Sequence, residues 1–306
     1  MSNSIKEIYN EHPLYPSRMK DLAGMPELLY VLGSLPSDDM PTVGIVGARL
    51  CSPYGHRTAY HLARELASRG VQIISGMAAG IDGYAAEGAL DAGAPSYAVL
   101  GNGVDICYPP GNRVLYERMI TNGGIISEYP AGEEPLPFHF PARNRIISAL
   151  SDLIIVVEAR KKSGSLITAD FALSQGKTVF AVPGRIDDRL SEGTNYLIAQ
   201  GAGIAYSHEA ILQELEGRAL ILNNESTRKL RAREARLRAD IKKKASALSA
   251  EALMILELLQ AEEPTTAEEL SEKLRLPISS ILSSLNELVR CDFAEEPVRS
   301  RFILKR

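Results

Sequence analysis

Tryptophan does not occur in this 306-residue chain, and cysteine occurs three times, as Cys51, Cys107 and Cys291. Thiols this few, odd in number and far apart argue against a disulfide framework and against a cysteine-built zinc site. No neighbouring residue in the sequence is placed to lower a thiol pKa, so a reactive cysteine is disfavoured. No apolar run is long enough to span a bilayer. The first thirty residues carry Glu7, Glu11, His12, Asp21 and Glu27 among their apolar positions, which is not the pattern of a signal peptide, so the cytoplasm is the expected compartment. Catalytic signatures are missing as well: there is no P-loop, no His-Glu-x-x-His and no Gly-x-Ser-x-Gly, and the five histidines are scattered. The expectation is a binding protein rather than an enzyme, with no metal and no cofactor.

An overall excess of positive charge is also lacking, because the net charge is −4. Its distribution is uneven. Residues 217–244 hold ten Lys and Arg against three acids, an excess of +7 that leaves −11 for the rest. A polyanionic ligand must therefore be held by local basic groups and not by the field of the whole molecule.

What the sequence does contain is alternation. Short apolar runs at 43–46, 71–75, 96–100, 124–127, 153–157, 178–182 and 203–206 read as strands buried on both faces. Amphipathic stretches lie between them. In residues 54–69, Ala59, Leu62, Ala63, Leu66 and Ala67 mark one buried helical face. Ser52 and Pro53 suit its N-cap and first turn, and Gly70 suits its C-terminal end. The fold class this predicts is α/β: an extended Rossmann-like, doubly wound, mostly parallel sheet. It occupies residues 41–216, with residues 1–40 as a short lead-in packing on the sheet's edge. Residues 217–245 read as a basic linker. In residues 246–306, three helical segments, a capping box at 265–269 and two terminal β-like pieces predict a small winged-helix-like domain.

The strand ends carry the chemistry. The first strand runs into Gly47-Ala48-Arg49 and a helix start, where open α/β sheets bind ligands against backbone N–H groups and a helix dipole. The spacing is not that of a dinucleotide fingerprint, and no acidic residue ends the second strand to hold a ribose. A guanidinium beside glycines is instead a clamp for a phosphodiester. Gly76 and Gly80 bracket the next turn, with Asp82 as an N-cap, and Gly101 and Gly103 follow the third strand. The segment Phe140-Pro141-Ala142-Arg143-Asn144-Arg145, read as preceding a helix over 146–150, sets an aromatic beside two arginines. Single strands are bound by a cationic track plus faces on which bases stack, and Phe140, Arg143 and Arg145 could supply both. At least one of those arginines is expected to be structural. Arg160-Lys161-Lys162-Ser163-Gly164-Ser165 places cations beside a turn that opens a helix, a second anion site.

Taken together, in order, these strings resemble the DprA/Smf family of DNA-processing proteins. The matching segments include Val46–Arg49, Ser75–Asp82, Leu100–Asp105, Ser127–Pro130, Phe140–Ile147, Ser163–Ala169 and Val182–Gly184. The resemblance implies binding and protection of single-stranded DNA, loading of the RecA recombinase during natural transformation, and a homodimer formed through the Rossmann domain. It implies that Arg49 holds a backbone phosphate, with Arg143 and the 161–165 turn completing the pocket. Two departures stand out. The lead-in is too short for the complete N-terminal helical domain of many members. The C-terminal segment is acidic, with seven Lys and Arg against eleven acids, which suits a protein contact at least as well as duplex DNA. Two other readings remain open: a nucleotide-binding enzyme or sensor of the LOG-like Rossmann type, whose Pro-Gly-Gly-x-Gly-Thr string is missing here, and a transcription regulator acting through the winged helix.

Overall fold

A computed structural model describes residues 4–217, 249–258, 265–274, 276–290, 294–298 and 301–304. The chain divides into two compact units, Met1–Arg231 and Ala232–Arg306.

The first unit is built on a nine-stranded sheet. Its strands are β1 (Lys6–Tyr9), β2 (Leu28–Gly33), β3 (Thr42–Val46), β4 (Gln72–Ser75), β5 (Ser96–Val99), β6 (Gly123–Ser127), β7 (Leu153–Val156), β8 (Thr178–Ala181) and β9 (Gly203–Ile204). The spatial order is β1-β2-β6-β5-β4-β3-β7-β8-β9. From β6 to β9 every pairing is parallel, while β2 joins β6 and β1 joins β2 antiparallel. All seven strands expected from the apolar runs are present. The lead-in adds two more: β1, which buries a single side chain, Ile8, and alternates too weakly to be read, and β2, whose apolar run buries Leu29, Val31 and Leu32.

Alternation along the strands feeds two layers of helices. Val46, Ile74, Val99, Ile154 and Val156 point to one core, closed by Ile146 and Ile147 of α5 (His139–Leu150) and Ala169 and Ala172 of α6 (Gly164–Ser174). Ile45, Ile73, Leu153 and Ile155 point to the other. That side is covered by α2 (Pro53–Ala67), α3 (Ile81–Asp91) and α8 (His208–Gly217). The remaining α-helices among this unit's described residues are α1 (Ser17–Lys20), α4 (Arg113–Thr121) and α7 (Glu192–Ala199). Ser52 caps α2 as expected, its side chain accepting from Gly55 N–H.

The chain runs β3, β4, β5, β6 toward one edge, then α5 carries it back to place β7 on the opposite side of β3. The crevice between the carboxyl ends of β3 and β7 is thus the topological switch point, the place where such sheets bind ligands.

Among its described residues the second unit has three helices, α9 (Ala250–Leu258), α10 (Ala267–Leu274) and α11 (Ile278–Arg290). Three strands, Thr265–Thr266, Ala294–Val298 and Arg301–Leu304, form an antiparallel sheet with the last in the centre. The capping box is there: Thr266 Oγ1 accepts from Glu269 N–H (3.2 Å), and Glu269 Oε2 accepts from Thr266 N–H (3.0 Å). The expected basic linker lies, but for Gly217, outside the described residues.

Candidate nucleic-acid interface

A cleft of about 440 Å³ opens at the switch point. Val46–Leu50 line it from the end of β3, and Arg160 and Lys162–Ser165 from the end of β7. Phe140, Arg143 and Asn144 form its back wall from α5. Residues singled out at the ends of β3 and β7 and on α5 thus meet in one place.

The cationic rim is uncommitted. Arg49, Arg160 and Lys162 are exposed, and among the described residues none of the three pairs with a carboxylate. Below them α6 begins at Gly164. Ser163 is its N-cap and shares a 2.7 Å hydrogen bond with the Ser165 hydroxyl. A Cβ on Gly164 would meet nothing within 4 Å. Within this cap Ser165 N–H donates to Ser163 Oγ (3.4 Å) and Leu166 N–H to Ser163 O (3.1 Å), and the helix start turns the positive end of its dipole to whatever fills the cleft.

The helix α5 starts at His139, seven residues before the point inferred from sequence. Pro141 falls in its first turn, where a missing N–H removes no intrahelical bond. Three consecutive side chains therefore leave one turn of helix in three directions. Arg143 is buried, 4% exposed. Its guanidinium donates to the carbonyls of Gly76 (3.1 Å) and Val99, at the ends of β4 and β5. Asn144 donates to Gly164 O (3.2 Å) at the start of α6 and accepts from Arg143 Nε (3.3 Å). Arg145 turns away from the cleft into a bidentate pair with Glu128 (2.8 and 2.7 Å) and a bond to Gly24 O (2.8 Å). Arg145 is thus the structural arginine, and the cleft does not include it.

Asp82 is not the N-cap of α3. Gly80 holds that place, and Asp82, in the first turn, is buried and lines the cleft. Its carboxylate accepts from Gly76 N–H (3.0 Å). Burial pushes its pKa up, and the Arg143 charge works the other way. Burial lowers Arg143 to about 10, against the raising effect of Asp82, so the guanidinium stays charged at neutral pH.

The glycines read as a rim for ligand approach mostly serve another purpose. A Cβ on Gly76 would lie 2.6 Å from Arg143 Nη2 and 2.8 Å from Asp82 Oδ2. On Gly80, at φ +78°, it would strike the carbonyls of Ala48 and Arg49. On Gly101 it would lie 3.1 Å from the Phe140 ring, and on Gly103 2.6 Å from Pro130 O. Gly47 lines the cleft, yet its Cβ would also lie 2.7 Å from Ile81 Cγ1. Protein atoms therefore fill the open side of Gly76, Gly80, Gly101 and Gly103, which lie outside the cleft lining, as does the exposed Lys161. The result is one compact site instead of a groove along every strand end. Arg160, the first cation of the anion-site segment, lines the cleft, and so do Leu50, Pro137 and Leu190, which were not anticipated. Leu190 was beyond reach of sequence reasoning, because a loop brings it in from beyond β8.

Comparison with known proteins now bears on this geometry. The model of the family described as DNA recombination-mediator protein A matches residues 6–216. The chain belongs to that family. It is 42% identical over 202 residues to DNA processing protein DprA of Streptococcus pneumoniae, covering 66% of this chain and 71% of that protein. It is 43% identical over 203 residues to Protein Smf of Escherichia coli, of which it spans 54%. Among solved structures, DprA of S. pneumoniae superposes with a TM-score of 0.65 at 38% identity, over 69% of this chain and 74% of that one. DNA processing protein A of Helicobacter pylori, solved to show its single-stranded DNA binding mode, gives 0.63 at 32% identity, over 71% and 98%. These matches place the DprA fold on the unit that holds the cleft. No helix among the described residues is long and apolar enough to cross a membrane.

Proposed function

We propose that this chain binds single-stranded DNA by seating its sugar–phosphate backbone in the switch-point cleft, without turnover. One observation carries the reading: three cations with no carboxylate partner among the described residues, Arg49, Arg160 and Lys162, surround the N-terminus of α6 at the crevice where the sheet reverses. A phosphodiester needs charge-assisted donors and no hydrogen-bonded base edge, so the grip is independent of sequence. Membership of a recombination-mediator family supports the same reading. The finer role follows from the family resemblance: protection of an incoming strand and loading of the RecA recombinase onto it, by a homodimer in the cytoplasm. Residues 246–306 then act as a winged-helix-like module whose acidic composition favours a protein contact.

The test is fluorescence anisotropy of the full chain with labelled oligo-dT over a salt series. Arg49→Glu should weaken binding at least ten-fold at moderate salt, on oligo-dT and mixed-sequence strands alike. Binding of the variant equal to that of the parent would remove the proposal. Micromolar binding of nucleoside monophosphates with product formed would favour the nucleotide-acting reading in its place.

A further inference from the structure

Two helices begin at the switch point, and their starts differ. Gly164 of α6 has open space beside it, whereas the start of α2 is filled from inside the protein. The filling group is the carboxylate of Glu158, two residues beyond the end of β7 and 1% exposed. It accepts from Ser52 N–H (2.9 Å) through Oε2 and from the Ser52 hydroxyl through Oε1. The Ser52 oxygen accepts in turn from Gly55 N–H (3.1 Å), so the carboxylate closes the N-cap of α2. A Cβ on Gly55 would run into the carboxyl group, whose three atoms are the nearest neighbours of that position. Val157 N–H donates to Val46 O (3.0 Å) and Ala159 N–H to Leu190 O (2.7 Å), which fixes the backbone on both sides of Glu158. Among the described residues no Lys, Arg or His pairs with it. A buried carboxylate without a counter-ion is costly. The donors of the cap and the positive end of the α2 dipole offset that cost.

These are the features of an occupied anion site. In a doubly wound sheet the turn after the first parallel strand, here β3 into α2, is where the phosphate of a nucleotide sits, and a glycine lets the anion reach the backbone. At this turn the protein supplies the anion itself. We infer that Glu158 is a specificity-determining residue: its carboxylate stands where the phosphate of a free nucleotide would, and so keeps the start of α2 closed to mononucleotides. The inference deepens the single-stranded DNA reading of the cleft and rests on it for its functional meaning. A terminal phosphate entering this turn meets a like charge that is fixed and buried, and it finds the Ser52 donors already taken. At the start of α6, by contrast, Gly164 has no protein atom against its open side.

The test removes the resident anion and offers another. Thermal midpoints of the full chain are compared in phosphate and in chloride of equal ionic strength, for the parent, Glu158→Ala, Glu158→Ser and the combination of Glu158→Ala with Gly55→Ala. Both single variants should melt below the parent in chloride. Phosphate should raise their midpoints by about 2–4 °C more than it raises that of the parent. Adding Gly55→Ala should cancel the extra rise, because its methyl group takes up the opened space. It should not lower the midpoint in chloride, since alanine suits a helix better than glycine. In calorimetric titration the single variants should bind thymidine monophosphate about ten-fold more tightly than the parent. A merely structural role for Glu158 would give the lower midpoint and none of these gains. An equal response of parent and variants to phosphate, an extra rise that survives Gly55→Ala, or an unchanged affinity for thymidine monophosphate would overturn the inference. If neither single variant folds in chloride, the yield on refolding into phosphate reads the same difference, and no recovery there overturns it as well. Failure of the parent to bind oligo-dT would strike the single-stranded DNA reading, while the response to phosphate would still decide whether Glu158 fills an anion site.

Discussion

At Gly76 a methyl group has no room. It would sit between the Arg143 guanidinium at 2.6 Å and the Asp82 carboxylate at 2.8 Å, the two charges that offset each other in the wall of the cleft. Gly76→Ala should destabilise the fold by about 1–3 kcal/mol, the usual cost of overpacking, read as a lower urea midpoint at unchanged slope. Arg145 and Arg49 should separate stability from binding. Removing Arg145 leaves Glu128, 16% exposed, without its bidentate partner. Arg145→Ala should therefore cost on the order of 3 kcal/mol while leaving the salt dependence of strand binding unchanged. Arg49→Ala should do the reverse, with thermal stability held and the slope of log K against log salt reduced by about 0.7. The cysteines give a pH-dependent check. Burial and the Glu158 carboxylate push the Cys51 thiol up, and burial does the same to Cys107. A raised thiol pKa means less thiolate at neutral pH. Both should react with iodoacetamide more slowly than free cysteine at pH 7.5, and should gain on it as the pH rises, followed by mass spectrometry.

Among the elements, α6 puts the anion site to a separate test. Gly164 meets nothing on its open side, so Gly164→Val should leave folding stability within about 0.5 kcal/mol while filling the floor of the cleft and weakening strand binding. If binding is unaffected, the helix start is not where phosphate sits. The elements also show what could be read in the sequence. The six strands β3 to β8 and α2 were legible because each satisfies a local rule, an apolar run buried on two faces or a helical stripe with a Ser52 cap, whereas β9 is a two-residue edge strand with Ile204 exposed. The start of α5 was hidden because Pro141 reads as a breaker, yet three residues into a helix it breaks nothing. The burial of Arg143 was illegible for a different reason. An arginine is normally solvated, and only the convergence of two strand ends, Gly76 from β4 and Val99 from β5, supplies the carbonyls that let it go inside. Glycines in the sequence marked where chains come close without saying what comes close. At Gly76 it is a side chain of the protein itself, and at Gly164 it is open space.

For the molecule as a whole, a net charge of −4 coexists with a cleft whose rim is cationic, so binding belongs to a site and not to a general field. With three cations available, a salt slope near −2 is expected for a single strand, at about −0.7 per neutralised phosphate. A slope several times steeper would mean that residues beyond the cleft share the load. The single turn of α5 that sends Arg143 to β4 and β5, Asn144 to α6 and Arg145 to Glu128 and Gly24 has a dynamic consequence. Because that turn is fastened to so many separate parts of the chain, it has no way to open by itself. Its amide protons should trade with solvent deuterium only when the entire first unit comes apart, at the rate of global unfolding. The back wall of the site would then have no frayed state, and a strand entering it would meet a surface already in its final shape.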